Sequence, residues 1–332
     1  MANAGPWAPW CFLGVFLAGS FLMLWRLEAM NASGVEGTVL GTLVMPYCSG
    51  MGNLLFAFVV GAKGGSGGEV LTNCLVNNVT NLTLLIGLPT MLWGMNLVPA
   101  PKPGKAKPKP KRKARDAQQV HKLNRLSLLL TLAAVLFFTG ALWALGRRGK
   151  LDFTDGLVLI GLFLFWQCFH VFEVLKNNVR QQKTWTWKLP LDLGLLALGA
   201  YAVYVSTDWL VDWVSASHTG FISAKYLGWL SGWLDVLPNA VLAFYYAWRG
   251  NPEVVYTSQV GDGHICIPLC IGVYALYHPM QVPVAFQNGL LLLLAVAVLH
   301  FLLVMVFGRL PRLVGWLLTF LYLVFLVNGL GQ

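Results

Sequence analysis

Four polar residues with the chemistry of ion ligands lie in or beside apolar runs of segment 232–273. They are Asp235, Asn239, Asp262 and His264. Asp235 and Asn239 are four residues apart, which places both side chains on one face of a helix. A carboxylate inside a membrane is costly and usually faces a cavity or a partner. These carboxylate and amide side chains are therefore candidates for a buried polar site between helices.

Composition indicates that lipid surrounds most of this chain. Of its 332 residues, 57 % are hydrophobic and only 11 % are charged, and the mean hydropathy is +0.65. A soluble domain carries about 25 % charged residues, and a helix needs about 20 apolar residues to cross the hydrocarbon core. We therefore predict an all-α polytopic membrane protein with about ten transmembrane helices. The predicted spans are 7–26, 35–62, 69–98, 126–146, 155–177, 188–206, 222–248, 253–278, 284–307 and 311–330.

The distribution of Lys and Arg predicts which helix ends face the cytoplasm. The first span has no basic residue before it and Arg26 after it, so we interpret it as a retained helix with its N-terminus outside. With that orientation, 18 of the 23 basic residues fall on inside segments, and ten of those 18 lie in 102–125. This bias follows the positive-inside rule. We expect an integral protein of the bacterial inner membrane.

Residues 99–125 form a basic segment rich in lysine and proline. Proline and self-repelling charge favour an extended cytoplasmic loop here. Such a loop can serve only to orient the chain, or it can bind anionic lipid headgroups or an acidic protein partner. Because this segment supplies most of the net charge of +10, nucleic-acid binding is not expected.

Two segments, 48–88 and 234–273, share a pattern of residues. Each has an Asn, about nine apolar residues, a basic residue, a Glu-Val pair and a Gly- and Asn- or Asp-rich motif before a final apolar run. Asn53 corresponds to Asn239, and the predicted topology gives their spans opposite directions. Inverted repeats of this kind build midplane sites in many secondary transporters. The predicted divisions are a first five-helix half (1–177, with repeat 35–98), a connector (178–187) and a second half (188–332, with repeat 222–282).

This pattern resembles the two alpha-repeats of the cation/calcium exchanger superfamily, which includes the sodium/calcium exchangers. The family motifs A-L-G-T-S-x-P-E and G-S-N-I-F-N are matched best by Pro238–Asn239 and by the "NNVTN" of 77–81. The resemblance implies an ion site at the centre of the membrane, between the repeats. The residues that fall on the family's ligand positions are Asp235, Asp262, Asn239, Asn53, Asn77, Asn81, Ser49 and Cys266.

The chain departs from the family at the positions that carry its charge. Both family glutamates fall on asparagines, Asn53 and Asn239, whereas Asp235 replaces a threonine and Asp262 a serine. The two carboxylates that remain can neutralise one divalent ion. The resemblance implies secondary active transport, in which Ca²⁺ or another divalent cation is exchanged for Na⁺ or H⁺ by alternating access. The alternative is a transport-inactive fold that serves as a membrane scaffold or as a subunit of a larger complex.

Other interpretations of the same residues stay open. The asparagines of the first repeat can be interhelical hydrogen-bonding partners, and Asp235 can cap a helix near the membrane surface. His264 is two residues from Asp262, so on a regular helix it points elsewhere, and we expect a packed polar residue. We expect Cys266 to be a small buried thiol. The loops carry no nucleophile, acid/base pair or metal triad, so we expect neither an enzyme nor a cofactor apart from the transported cation.

Overall fold

The chain is almost entirely helical in the computed structural model. The structure describes residues 7–32, 50–97, 111–178, 188–216 and 218–331. Eight of the helical stretches in these ranges are long and apolar enough to cross a membrane, and two further apolar helices are shorter. This confirms the prediction of an all-α polytopic membrane protein with about ten transmembrane helices.

Each half of the chain supplies the same succession of helices, with one helix interrupted by a π-helical segment. The first half contains α1 (Ala8–Ala32), α2 (Met51–Ala62), α3 (Gly67–Thr80), a π-helical segment (Asn81–Leu85), α4 (Ile86–Trp93), α5 (Lys111–Gly146) and α6 (Phe153–Asn178). The second half contains α7 (Lys188–Ala216), α8 (Leu227–Trp248), α9 (Pro252–Ile265), a π-helical segment (Cys266–Cys270), α10 (Ile271–Tyr277), α11 (Val284–Phe307) and α12 (Arg312–Leu330). The predicted boundary between the halves, 178–187, lies almost wholly outside the described residues.

Short antiparallel strand pairs tie the helix ends of the two halves together. β1 (Met95–Asn96) pairs with β6 (Arg309–Leu310), and β2 (Lys150–Leu151) pairs with β5 (Met280–Gln281). A third pair, β3 (His218–Thr219) with β4 (Ile222–Ser223), closes a turn within the second half. The β1–β6 pair and the β2–β5 pair each join two helix ends that the predicted membrane topology places on the same side of the membrane. Which side is cytoplasmic stays a prediction.

The two π-helical segments interrupt the helices that carry the polar repeat motifs. A π-helical turn is wider than an α-helical turn and is found frequently at functional sites. Each segment has a proline in or near it. Pro89 lies four residues after the end of the first segment, and Pro268 lies inside the second. Since proline has no backbone N–H, it breaks the regular hydrogen-bond ladder, and a local π adjustment can satisfy the groups that are released.

The buried apolar side chains form two separate clusters. The larger one runs through the middle of the helix assembly, whereas the smaller one lies between α1 and α7 and is centred on Phe16, Met23 and Val203. These two helices approach closely where glycines face each other, because an added Cβ at Gly19 would lie 2.8 Å from the carbonyl oxygen of Gly199. Close contact through small residues is typical of helices packed within a membrane.

The helix α7 is longer than the predicted span 188–206. The predicted spans 188–206 and 222–248 leave an outside connection over 207–221, but the helix continues to Ala216. Its last turns keep an apolar buried side, with Val211 and Val214. Asp208 and Asp212 lie on the same turns and are paired with Lys63 at the end of α2. The prediction was therefore wrong about this boundary.

The helix α5 begins at Lys111, within the segment 99–125 that we predicted to be an extended loop. That prediction is wrong for 111–125. The last proline of the segment is Pro110, and the following "KRKARDAQQVHK" consists largely of residues with high helix propensity. Residues 98–110 lie outside the described residues.

An ion-pair cluster joins the end of α2 to the last turns of α7. The Lys63 ammonium lies 2.7 Å from Asp208 Oδ1 and 2.6 Å from Asp212 Oδ1. Burial lowers the pKa of Lys63, but hydrogen bonds and attraction from both aspartates outweigh it, so the pKa is raised above its usual value of 10.5.

We expect Lys63→Met to lower thermal stability in detergent modestly, because a partly exposed pair contributes about 0–1 kcal/mol. Because folding raises the pKa of Lys63, the ion pair stabilises the protein fully below about pH 10.5. This stabilisation is lost as the pH rises through the pKa of Lys63 in the folded protein. The melting temperatures of wild type and variant should therefore differ by a constant amount from pH 7 to about pH 10 and converge above it. Convergence already near pH 8 would contradict the assignment.

Candidate cation site

Asp262 lies at the centre of a buried cluster to which both halves contribute. It occupies the last turn of α9, just before the second π-helical segment, and its side chain is fully buried. Its Oδ2 accepts a hydrogen bond of 2.9 Å from Asn81 Nδ2 and another from Asn239 Nδ2. One carboxylate oxygen thus connects the first π-helical segment, α8 and α9.

The first residue of each π-helical segment contacts the helical turn that precedes the other segment. Asn81 opens the first segment and, besides Asp262, donates a 2.9 Å hydrogen bond to Asn77 Oδ1. Cys266 opens the second segment, and its Sγ lies 3.9 Å from the same Asn77 Oδ1. Asn77 and Asp262 each lie one turn before their π-helical segment. The predicted residues Asn77, Asn81, Asn239 and Asp262 therefore form one connected cluster.

Asp235 lies inside α8, one turn before Asn239, with 5 % of its surface exposed. Its Oδ2 accepts a 2.9 Å hydrogen bond from Asn73 Nδ2, which also lies 3.0 Å from Ser231 Oγ. Because α8 begins at Leu227, Asp235 does not cap the helix, and that alternative is wrong.

A narrow cavity reaches Asp235 and Asn239 from the side of α1. It has room for about one water molecule. Gly52 also lines it, and an added Cβ at this glycine would overlap with the Asp235 carboxylate. The close approach of α2 to Asp235 therefore depends on glycine. The remaining lining residues are Phe16, Ser20, Leu24 and Pro238.

Several amide atoms of the predicted ligands are buried without a hydrogen-bond partner among the described residues. Both polar atoms of the Asn53 side chain are in this state, as are Asn77 Nδ2 and Asn81 Oδ1. Buried polar groups are nearly always hydrogen-bonded, so such a group is a marker of a functional site or of a bound water or ion. Ser49, also predicted as a ligand, lies outside the described residues.

A comparison with protein families adds to this geometry. The family model described as "Sodium/calcium exchanger protein" matches residues 6–172 and 191–330. The chain belongs to the sodium/calcium exchanger family. This confirms the resemblance drawn from the repeat motifs. A comparison with curated proteins gave no match.

Solved structures of an exchanger share the fold. A structure of the sodium-calcium exchanger NCX_Mj soaked with 2.5 mM Na⁺ and 10 mM Sr²⁺ has a TM-score of 0.67 to this chain, with 18 % identity and 98 % of each chain covered. Another, soaked with 2.5 mM Na⁺ and 0.1 mM Ca²⁺, has a TM-score of 0.65, again with 18 % identity, and covers 94 % of each chain. At this identity the likeness shows the fold.

The exchanger-family motifs did not point to three further polar residues beside the cluster. Asn73 Nδ2 donates to the Asp235 carboxylate and lies 3.0 Å from Ser231 Oγ, and Gln259 Nε2 lies 3.4 Å from the backbone oxygen of Asn239. Two of them were detectable from helix spacing alone. Asn73 lies one turn before Asn77, and Ser231 lies one turn before Asp235, so each shares a face with a predicted ligand.

The acidic character of this exchanger-family site is limited. Among the residues that the structure describes, no group of three or more His, Cys, Asp or Glu side chains is arranged to hold a metal ion. His264 points away from the cluster, with its Nε2 2.9 Å from the carbonyl oxygen of Thr131 and its ring against Phe138 and Trp166. Two carboxylates and several amides thus form the candidate site.

Proposed function

We propose that this protein is a secondary active antiporter that exchanges a divalent cation such as Ca²⁺ for Na⁺ or H⁺ by alternating access. The observation that carries the proposal is the fully buried Asp262 carboxylate, held between Asn81 of the first half and Asn239 of the second. A carboxylate is costly to place inside a membrane and is usually part of an ion or proton pathway. The proposed ligands are Asp235, Asp262, Asn239, Asn53, Asn77, Asn81 and Ser49.

The chemistry of these side chains suits a cation that enters and leaves. Without the ion, the amide N–H groups of Asn81 and Asn239 satisfy the Asp262 carboxylate. A bound cation takes over that role, and the same amides can then turn their carbonyl oxygens toward it. Asp235 and Asp262 together balance the charge of one divalent ion, which lowers the cost of holding it in a medium of low dielectric constant.

The ions named for the related structures support the choice of Ca²⁺ and Na⁺ as the exchanged ions. The NCX_Mj structures were soaked with Na⁺ together with Ca²⁺ or Sr²⁺. Oxygen ligands from carboxylates and amides are those that Ca²⁺ prefers. Protons are the second candidate counter-ion, because an aspartate that loses its cation in a membrane can accept a proton.

The proposal includes the orientation in the membrane. The N-terminus lies outside and segment 99–125 lies in the cytoplasm of a bacterial cell, where its lysines and arginines can bind anionic lipids or an acidic protein partner.

One feature favours a second function. Asn53 and Asn239 stand at both positions where the exchanger family carries a glutamate, so the fold can have lost transport and serve as a scaffold or subunit. An antiporter moves cations when the purified protein alone is reconstituted into liposomes, whereas a scaffold or subunit does not.

The test is uptake of ⁴⁵Ca²⁺ into proteoliposomes loaded with Na⁺, or acidified inside, against liposomes without protein. We expect uptake that depends on one of the two gradients and collapses when an ionophore dissipates it. Uptake equal to that of empty liposomes under both gradients would contradict the antiporter and support the scaffold.

A further inference from the structure

We propose that His300 is a positioning residue of the cation site, which holds the π-helical segment that carries Asn81. The inference rests on the proposed function, because it concerns the same site. His300 does not touch the candidate ligands directly. It acts through the backbone of Leu82, the residue that follows Asn81.

The contact between His300 and Leu82 is well defined. His300 lies in α11 with its side chain fully buried, and its Nε2 is 2.9 Å from the carbonyl oxygen of Leu82. A carbonyl oxygen only accepts hydrogen bonds, so Nε2 carries the proton and donates. This bond fixes one peptide of the first π-helical segment to a neighbouring transmembrane helix.

The position of that peptide matters because Asn81 makes two of the contacts that unite the cluster. Its Nδ2 donates to Asn77 Oδ1 and to Asp262 Oδ2, each at 2.9 Å. A wide π-helical turn can relax into a regular turn, which would rotate Asn81 away from Asp262. The hydrogen bond from His300 opposes that rotation by anchoring the adjacent peptide.

His300 also contacts the helix that carries Asp262. Its ring packs edge-on against Tyr256 of α9, with ring centroids 5.5 Å apart. The Tyr256 hydroxyl and His300 Nδ1 are both buried, and neither has a hydrogen-bond partner among the described residues. His300 therefore touches the two elements whose relative placement brings Asn81 to Asp262.

The experiment compares His300→Phe, which keeps an aromatic ring but removes the donor, with His300→Gln, whose Nε2 can still donate to Leu82. Because groups that orient ion ligands typically contribute 10–100-fold to ion affinity, we expect His300→Phe to raise the KM for ⁴⁵Ca²⁺ uptake about 10-fold or more. Its maximal rate should change less. His300→Gln should return the KM to within a few-fold of wild type.

A matched control is His278→Leu. His278 Nε2 also lies near a backbone oxygen, 3.2 Å from that of Gly61, but at an exposed position away from the cluster. We expect this variant to keep the wild-type KM.

The outcomes separate the two proposals. Wild-type uptake together with an unchanged KM in His300→Phe overturns the inference alone, as does a His300→Gln variant that is as impaired as His300→Phe. No gradient-driven uptake by wild type overturns both. If His300→Phe does not fold, the comparison of His300→Gln with wild type decides, because a KM raised 10-fold or more in His300→Gln contradicts the role of the donor.

Discussion

Replacing Asp262 with asparagine is expected to reduce cation uptake about 100-fold or more. The Oδ1 of an asparagine can accept the same hydrogen bonds from Asn81 and Asn239, so the fold should persist. What is lost is the negative charge. Removing one partner from a buried charge pair costs about 3–5 kcal/mol, and each 1.4 kcal/mol is about a factor of ten. Initial rates of ⁴⁵Ca²⁺ uptake at equal amounts of reconstituted protein measure the effect.

The matched control for this substitution is Asp152→Asn. Asp152 precedes α6, and its Oδ1 accepts hydrogen bonds from the backbone N–H groups of Thr154 and Asp155. Asparagine is about as good an N-cap as aspartate, so this variant should retain uptake. If Asp262→Asn transports as well as Asp152→Asn, the assignment of Asp262 is wrong.

The second large effect is expected from Asp235→Asn, which removes the other carboxylate of the site. The hydrogen bond from Asn73 can persist with the asparagine oxygen, so again the charge is the main loss. We expect about a 10-fold increase in KM, smaller than for Asp262 because Asp235 lies beside a cavity that admits water. The concentration dependence of ⁴⁵Ca²⁺ uptake gives the KM.

The geometry around Asp235 provides an independent check on this second prediction. A Cβ at Gly52 would overlap with the Asp235 carboxylate, so Gly52→Ala should displace it and raise the KM in the same direction. The control is Gly140→Ala in α5, where an added Cβ meets nothing within 4 Å. If both alanine variants keep the wild-type KM, the position of Asp235 does not matter for transport.

Much of the architecture could be predicted because apolar length is a strong signal in a membrane protein. The errors occurred where local composition was a poor guide to helix ends. The predicted span ended at residue 206, before Asp208 and Asp212, but Lys63 from a distant part of the chain pairs with these aspartates and α7 continues past them. Similarly, the lysine-rich start of α5 suggested an extended segment, although no proline follows Pro110 there.

Only those parts of the site that depend on sequence spacing could be predicted. Asp235 and Asn239 share a helix face because of their spacing, and the repeat pattern drew attention to Asn77 and Asn81. The π-helical segments could not be predicted, because a proline such as Pro89 or Pro268 can also kink or end a helix, so its presence alone does not indicate a π turn. The spacing of Asn73 from Asn77 was visible in the sequence, but its contact with Asp235 was not, because Ser231 and Asp235 come from the other half of the chain.

The most direct test of the central claim is anomalous diffraction from crystals soaked with Sr²⁺, an ion that stands in for Ca²⁺. We predict a peak inside the membrane region, within about 3 Å of a carboxylate oxygen of Asp262 and near the amide oxygens of Asn81 and Asn239. The peak should be missing in Asp262→Asn. Peaks confined to the protein surface, or a buried peak that persists in this variant, would contradict a cation site at Asp262.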